Sequence, residues 1–196
     1  MTTADPVVFH HCTAARAREL HATVEAVYLG SYVEAIVGGD PFDTPAEFMR
    51  RFDVYTGPTR GAGFELVIAR VAGAPVGQTW GWPLTPDTGW WRGFQPDEGV
   101  DPEFTAETGA RTFALSEIMV CAEHTGRGLA RALHDELLRG RAESRATLLV
   151  DPENERAYRA YQNWGWSRVG TLRPSWQGAP TFDVLIRDLP RHGGPG

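Results

Sequence analysis

The order of apolar and polar residues in the N-terminal part of the chain predicts one strand and two helices. Residues 6–9 include a short apolar run that is typical of a strand. Across residues 13–32, apolar side chains recur every three or four positions, which predicts an amphipathic helix. Thr44 is followed three residues later by Glu47. This pair resembles a capping box and predicts the start of a short helix that continues through Arg51.

The rest of the chain predicts strands that alternate with helices. The predicted strands are 64–71, 76–84, 113–121, 146–151, 166–173 and 181–188. The first two of these are separated by a short Gly- and Pro-containing turn and predict a hairpin. Helices are predicted from near Gly126 to about Arg139 and from about Glu153 to Trp164. This alternation predicts an α/β domain with a mixed sheet.

Residues 85–112 interrupt the pattern with a segment that is rich in Gly, Pro, Asp and aromatic residues. Long irregular segments inside a domain are often functional. Trp90, Trp91 and Phe94 lie here among several carboxylates, and aromatic faces with carboxylates suit an organic cation. One interpretation is a lid that contacts an acceptor substrate through Trp90 and Trp91. The alternative is a flap that packs on the domain or forms a homodimer.

The composition is that of one globular domain. The chain has 196 residues, of which 42% are hydrophobic and 22% are charged, and domains usually contain about 100–200 residues. We therefore expect a single domain over residues 1–190, followed by a flexible Gly/Pro tail at 191–196.

Targeting and metal-binding patterns are absent from the sequence. No stretch reaches the ~20 continuous apolar residues of a membrane span, and no signal peptide is visible at the N-terminus. The two cysteines, Cys12 and Cys121, form no CxxC pair, and no two histidines have ligand spacing. These features predict a reduced, cytoplasmic protein without a metal site.

The charge balance narrows the class of partner. All 19 basic residues are Arg, which is typical of the codon bias of a GC-rich genome. The formal net charge of −6 disfavours nucleic acid, whose phosphates are usually met by an excess of basic side chains. An acidic surface favours a cationic small molecule or peptide instead.

The most informative segment connects the predicted strand that ends near Val120 to the helix that begins near Gly126. Gly126 and Gly128 allow the backbone to approach a ligand closely, and the N–H groups at a helix start bind anions, of which phosphate is the expected one. The loop lacks the Gly-Lys-Ser/Thr ending of nucleotide P-loops and the GxGxxG spacing of dinucleotide-binding folds. By itself, the turn is equally compatible with a simple strand-to-helix junction.

Two blocks of the sequence resemble the GNAT superfamily of N-acetyltransferases. The first is the acetyl-CoA-binding motif Q/R-x-x-G-x-G/A, with Thr125 in place of the usual Gln or Arg; it reads Thr125-Gly126-Arg127-Gly128-Leu129-Ala130. The second block, residues 154–166, resembles the family pattern N-x-x-A-x-x-x-Y-x-x-x-G-F. The resemblance implies a single-domain, GNAT-like α/β fold. Its mixed, mostly antiparallel sheet would have about six to seven strands, flanked by about four helices.

The resemblance also implies acetyl-CoA as cosubstrate and a role for each matching residue. The pantetheine arm would pair with the backbone of Ile118, Met119 and Val120. The pyrophosphate would be bound by the amides of Thr125, Gly126, Arg127, Gly128, Leu129 and Ala130. Asn154 would contact the cosubstrate near its thioester. Tyr161 would lie near the sulfur and protonate the departing thiolate.

Acetyl transfer to an amine also requires a base, because a free alkyl amine has a pKa near ~10.4. Glu117 is the leading candidate, since it lies within an apolar strand on the face opposite Ile118 and Val120. A carboxylate buried there is costly, and burial would raise its pKa toward a useful range. The alternative is that Glu117 forms an ion pair with an Arg.

Together, these observations predict an acetyl-CoA-dependent N-acetyltransferase that acts on a primary amine of a small cationic metabolite or antibiotic. The alternative enzyme is a peptide or protein N-acetyltransferase. A noncatalytic acyl-CoA-binding sensor is the alternative from another class. Neither a nucleic acid nor a membrane is an expected partner.

Overall fold

Eight strands and six α-helices are present in the part of the chain that the computed structural model describes, which is residues 5–58, 61–175 and 179–190. They belong to two units. The first comprises Met1–Trp82 and Glu117–Arg139, and the second comprises Pro83–Ser116 and Gly140–Gly196. The tail that the sequence predicts at 191–196 lies outside the described residues.

The strands of the first unit follow the order β1-β2-β3-β5. Their bounds are β1 (Val7–Thr13), β2 (Glu65–Val71), β3 (Ala74–Pro83) and β5 (Thr112–Val120), of which the last four residues belong to this unit. β2 pairs antiparallel with both β1 and β3. The hairpin predicted from the two apolar runs is therefore confirmed.

Five helices belong to the first unit: α1 (Ala14–Glu19), α2 (His21–Ser31), α3 (Val33–Gly38), α4 (Pro45–Thr56) and α5 (Leu129–Leu138). The single helix predicted at 13–32 is divided, because the backbone leaves the helical conformation at Leu20. It does so again at Tyr32, which separates α2 from α3. No helix in the described residues is long and apolar enough to span a membrane.

The predicted capping box is present at the start of α4. The Thr44 hydroxyl accepts a hydrogen bond from Glu47 N at 3.3 Å, and Pro45 occupies the first helical position. The helix continues beyond Arg51, where the sequence pattern predicted its end, because Phe52 still lies on its buried face.

Aromatic side chains form the core of the first unit. Tyr28 of α2, Phe48 and Phe52 of α4, and Trp80 of β3 are each at most 2% exposed. The ring of Phe48 lies 3.8 Å from that of Tyr28 and 5.7 Å from that of Trp80, measured between centroids. Met119 of β5 belongs to the same core. These contacts pack α2 and α4 on the face of the sheet that carries the side chain of Met119.

The strands of the second unit follow the order β5-β6-β8-β7-β4. Their bounds are β4 (Phe94–Pro96), β6 (Arg145–Val150), β7 (Ser167–Leu172) and β8 (Phe182–Asp188). β5 pairs in parallel with β6 through Thr112–Ala114, whereas the β6–β8, β7–β8 and β4–β7 pairs are antiparallel. One helix, α6 (Glu155–Asn163), lies between β6 and β7 along the chain.

An α/β fold with a mixed sheet is therefore confirmed, but the predicted number of elements is too low. The sheet has eight strands and the described residues form six α-helices. The additional strand is β4, which is three residues long and contains Pro96, so its sequence gives no strand signal. One additional helix comes from the division of the segment predicted as one helix, and the other is α3, which lies beyond that segment and was not predicted.

Part of the segment at 85–112 is anchored by a buried carboxylate. The side chain of Glu107 is fully buried, and its Oε1 accepts hydrogen bonds from Trp91 Nε1 at 3.0 Å and Thr112 Oγ1 at 2.8 Å. Arg145 Nη2 lies 3.1 Å from the same oxygen, and the guanidinium lies 4.2 Å from the ring centroid of Phe104. The aromatic and acidic side chains of this segment thus surround a cation of the chain itself.

We expect Glu107→Gln to lower the free energy of unfolding by about 3–5 kcal/mol, because it leaves the buried guanidinium of Arg145 without its counter-charge. Chemical denaturation near neutral pH measures this loss. Glu98→Gln is the matched control: Glu98 is exposed in the same segment, and its loss should change stability by less than about 0.5 kcal/mol. Equal stability of the two variants would show that the Arg145–Glu107 pair does not anchor the segment.

Candidate active site

The loop between β5 and α5 has the geometry of an anion cradle. Gly128, at the N-terminal cap of α5, has a φ of +77°, and no side chain caps the helix. Ala132 N donates to Gly128 O at 3.0 Å, so the amides of Leu129 and Ala130, which precede it, have no intrahelical acceptor. Gly126 also has a positive φ, +76°, and a Cβ at either glycine would meet no atom within 4 Å. The loop therefore offers amides and open space at the positive end of a helix dipole.

Thr125 replaces the Gln or Arg of the motif, and its hydroxyl has a local role. It donates to Ala122 O at 2.9 Å, which closes the turn before the cradle. A cavity of about 420 Å³ borders the same loop and is lined by Asp5, Val7, Val71, His124, Arg127, Gly128, Leu129 and Ala132. An open cradle of main-chain donors with Arg127 beside it fits a phosphate-bearing cosubstrate, and this fit does not depend on the side chain of Thr125.

The end of β5, which the resemblance relates to the pantetheine arm, packs closely against β3. A Cβ at Gly77 of β3 would lie only 2.8 Å from Met119 O, so a larger residue would displace β5. Met119 is 2% exposed, whereas Ile118 and Val120 are partly exposed. Because Gly77 has no side chain, β3 packs directly against the backbone of this segment and fixes its position.

Glu117 lies two residues before Met119 in β5, and its side chain therefore shares the sheet face that α2 and α4 cover. Burial raises the pKa of Glu117 to about 7. A hydrogen bond from the Tyr32 hydroxyl and the positive charge of Arg51 both lower the pKa, but their effect is smaller than that of burial. The charge of Asp43 raises it further. A carboxyl group with a pKa near 7 can accept and release a proton near neutral pH.

Arg51 is the cation that acts on Glu117, yet its guanidinium is held by other groups. Arg51 Nη1 donates to Phe42 O at 2.9 Å and lies 3.5 Å from Glu47 Oε1. The guanidinium also lies 3.7 Å from the ring centroid of Phe42. An Arg near Glu117 agrees with the ion-pair interpretation of the sequence. Its charge nevertheless leaves the pKa of Glu117 well above that of an ordinary carboxyl group.

Two aspartates, Asp43 and Asp40, lie in the surroundings of Glu117. Burial is the main cause that raises the pKa of Asp43, and the charge of Asp40 raises it further. Burial also raises the pKa of Tyr28 to about 12, with a smaller contribution from the charge of Asp43. Asp40 and Asp43 thus add negative charge near Glu117, which the positive charge of Arg51 opposes.

Sequence reasoning missed three residues that set the environment of Glu117: Tyr32, Asp43 and Arg51. A signal existed for the first of them, because Tyr28 and Tyr32 are four residues apart and share a helical face. Asp43 and Arg51 flank the capping box of α4, and nothing in their spacing relates them to a strand far along the chain. Only the fold brings them to Glu117.

Asn154 and Tyr161, the matching residues of the second motif, both belong to the second unit. Asn154 caps α6 through its Oδ1, which accepts a hydrogen bond from Ala157 N at 3.1 Å. The ring of Tyr161 meets those of Trp164 and Trp166 edge to face, with centroids 5.6 and 6.1 Å apart. Tyr161 is partly exposed, while Trp166 is 3% exposed. The ring of Tyr161 is therefore positioned by two tryptophans.

Trp90 and Trp91, the tentative acceptor residues, also belong to the second unit. Trp91 is 9% exposed, and its indole N–H is used by Glu107. Trp90 is partly exposed, and its backbone N–H donates to Thr88 Oγ1 at 3.2 Å. Of the two, Trp90 presents more of its surface to solvent, so the lid hypothesis rests mainly on Trp90.

Cys121, directly after β5, lacks the environment of an activated nucleophile. It is 8% exposed, and burial raises the pKa of its thiol, although a hydrogen bond with Ser31 partly opposes this. The reactive species of a cysteine is the thiolate, which this environment disfavours. In the described residues, no group of three or more His, Cys, Asp or Glu side chains is arranged to hold a metal ion.

Comparison with known protein families identifies the family of this chain. The model of the acetyltransferase (GNAT) family matches residues 34–166, which include Glu117 and both sequence blocks. The chain belongs to the GNAT acetyltransferase family. The family predicted from the two motifs is thus confirmed, and acetyl-CoA, the predicted cosubstrate, is that of the family.

Solved structures share the fold of this GNAT chain at low sequence identity. An acetyltransferase from Thermus thermophilus has a TM-score of 0.62 and 17% identity over 95% of this chain and 100% of its own. The yncA protein of Salmonella typhimurium, solved with its cofactor acetyl-CoA, has a TM-score of 0.56 and 12% identity over 97% and 98% of the two chains. The ribosomal-protein-alanine N-acetyltransferase of Brucella melitensis has a TM-score of 0.58 and 18% identity over 93% and 99%. No curated protein sequence gives a significant match.

We expect Gly128→Val to weaken the binding of CoA at least tenfold, because its Cβ would enter the open side of the anion cradle. The positive φ adds strain of about 1–2 kcal/mol for any residue with a side chain. Gly73→Val is the matched control: Gly73 has a φ of +81°, also with no neighbour within 4 Å of a Cβ, but lies in the β2–β3 turn. Calorimetry of CoA binding and thermal unfolding separate the two effects. Equal loss of affinity in both variants would make the loop a structural turn only.

Proposed function

We propose that this GNAT chain transfers the acetyl group of acetyl-CoA to a primary amine of a small cationic metabolite or antibiotic. The observation that carries the proposal is Glu117, a carboxyl group in β5 with a pKa of about 7. Nucleophilic attack requires a neutral amine, and a base with a pKa near the working pH is well suited to take its proton. The anion cradle at the start of α5 supports the use of a phosphate-bearing acetyl donor.

Each step has a candidate group. Glu117 accepts the proton that the amine loses as its nitrogen attacks the thioester carbonyl, directly or through a water. The carbon–sulfur bond then breaks, and Tyr161 gives its hydroxyl proton to the departing thiolate. The amides of the cradle hold the pyrophosphate, the backbone of Ile118–Val120 pairs with the pantetheine arm, and Asn154 contacts the cosubstrate near its thioester. The protein thus supplies orientation and two proton transfers.

The charges around the proposed base support a cationic acceptor. Asp43 and Asp40 add negative charge near Glu117, and the chain has a formal net charge of −6. These charges attract a protonated amine, which loses one proton to water to become the neutral nucleophile. Its second proton goes to Glu117 as the nitrogen attacks. Trp90 adds an aromatic face that suits a cation, if the segment at 85–112 contacts the acceptor.

An acceptor screen that measures the release of CoA thiol tests the proposal. The panel contains small cationic amines, amine-bearing antibiotics and peptides with free N-termini or lysines. We expect release that depends on a small cationic amine. Turnover with peptides alone would favour a peptide N-acetyltransferase, and CoA binding without turnover on any acceptor would favour a sensor.

We expect Glu117→Gln to lower kcat/KM by ~10²-fold or more, because the amide cannot accept the proton of the amine. The affinity for acetyl-CoA should remain unchanged, since the cradle is not altered. Glu123→Gln is the control, because Glu123 lies nearby in sequence and its side chain is 81% exposed. A folded Glu117→Gln protein with full activity would remove Glu117 from the mechanism, and a large loss of stability would instead indicate a structural ion pair.

We expect Tyr161→Phe to lower kcat by ~10²-fold or more, as is typical when a general acid is lost. The ring contacts with Trp164 and Trp166 are retained, so thermal stability and CoA affinity should not change. Tyr158→Phe provides the comparison on the same helix, because the Tyr158 hydroxyl donates to Asp183 Oδ2 at 3.0 Å. The measurement is kcat of both variants at steady state, under conditions in which chemistry is shown to limit turnover. An unaffected kcat in Tyr161→Phe would exclude its hydroxyl as the acid.

A further inference from the structure

Tyr32 lies where the helical layer of the first unit changes direction. It is both the C-cap of α2 and the N-cap of α3, with φ −104° and ψ 31°. Its amide still donates a hydrogen bond to Tyr28 O at 2.9 Å. Its ring stacks on that of Tyr28, with centroids 5.0 Å apart and planes 24° apart. The kink thus turns the chain after Tyr32 while the ring stays on the aromatic core.

The stack beneath Tyr32 is rigid. Tyr28 is 1% exposed, and its ring lies 3.8 Å from that of Phe48 at an interplanar angle of 8°. The Tyr28 hydroxyl donates to Asp43 O at 2.7 Å, which fixes the rotation of this ring and ties α2 to the turn before α4. Three consecutive rings, those of Tyr32, Tyr28 and Phe48, therefore extend from the core of the unit to the hydroxyl that contacts Glu117.

We propose that Tyr32 is a positioning residue, whose hydroxyl hydrogen-bonds to the carboxylate of Glu117 and whose stacked ring fixes the orientation of that carboxylate. The inference rests on the proposed function, in which Glu117 is the base. It assigns to the α2–α3 kink a task that neither motif of the sequence indicates.

The other groups that act on Glu117 do so through their charge and not through a hydrogen bond to its carboxylate. Arg51 of α4 directs its guanidinium to Phe42 and Glu47. Asp43, from the turn that precedes α4, repels a negative Glu117, and the hydroxyl of Tyr28 is already used by the backbone of Asp43. Tyr32 thus supplies the directional contact, because a hydrogen bond weakens steeply when the angle at its donor departs from linearity.

The hydrogen bond also sets how tightly Glu117 holds its proton. Donation to a carboxylate stabilises the charged form, so the bond lowers the pKa of Glu117. In Tyr32→Phe the ring stack remains and the hydroxyl is lost. The pKa of Glu117 should then rise by about one unit, toward 8. The base would be protonated over more of the neutral range, and kcat/KM near pH 6 should fall by about tenfold.

The test has two readouts, both measured on the whole chain of 196 residues. One is a carbon-13 NMR titration of protein labelled at the glutamate carboxyl carbon, in which the resonance of Glu117 is identified by its loss in Glu117→Gln. The other is the pH dependence of kcat/KM, measured with an acceptor found in the screen. Tyr55→Phe is the matched control, because Tyr55 loses the same hydroxyl from the same helical layer but stacks on Trp82, at 4.6 Å.

We expect both the titration of Glu117 and the acid limb of kcat/KM to move upward by about one pH unit in Tyr32→Phe, with little change in Tyr55→Phe. An unchanged Glu117 titration in a folded Tyr32→Phe protein would overturn the proposal. If the titration moves and the acid limb does not, the contact with Tyr32 is supported and the role of Glu117 as base is overturned. The two inferences can thus fail separately.

Discussion

The candidate site depends on how the fold partly buries one carboxyl group, that of Glu117, within β5. A carboxylate without partners in such a place is costly, and the usual responses are a donor, a counter-charge or a raised pKa. All three are present: Tyr32 donates, Arg51 provides positive charge, and the pKa still rises to about 7. The partial compensation matters for chemistry, because a fully paired carboxylate would be a poor base at neutral pH.

The same side chains stabilise the unit and shape the site. Tyr28 and Phe48 are core residues by burial, yet their stack carries Tyr32. In the same unit, Gly77 lets β3 approach Met119 of β5 closely, and this contact fixes the backbone that leads to the cradle. Changes in the stack of Tyr28 and Phe48 should therefore affect turnover before they affect the binding of CoA, which relies on the end of β5 and on the loop at the start of α5.

The sequence was sufficient for elements with a clear period and for the motif loop. The β2–β3 hairpin and the cap of α4 formed as predicted, because turn and capping residues act locally. The break at Leu20 has no Gly or Pro beside it, so no local signal marks it. The kink at Tyr32 follows Gly30 and Ser31, a pair that is typical of helix kinks, but the helical period of the apolar residues hides it. The sequence of the short strand β4 also gives no strand signal, because the strand forms through pairing with β7 and not through the preference of its own three residues.

The raised pKa of Glu117 was predictable, because a carboxyl group in an apolar strand conflicts with its surroundings. Its partners were not, because Tyr32, Asp43 and Arg51 come from segments distant in sequence and have ordinary local explanations. Thr125 shows the opposite case. Its departure from the motif is explained by a local hydrogen bond to Ala122, which leaves the main-chain donors of the cradle unaffected.

The pH dependence of kcat/KM for the unmodified protein, measured with two acceptors of different amine pKa, tests the central claim most directly. If Glu117 is the base, both profiles should share a break near pH 7, which belongs to the free enzyme and not to the amine. A second rise should follow the pKa of each amine. Profiles that follow only the amines, with no common break near pH 7, would contradict the account.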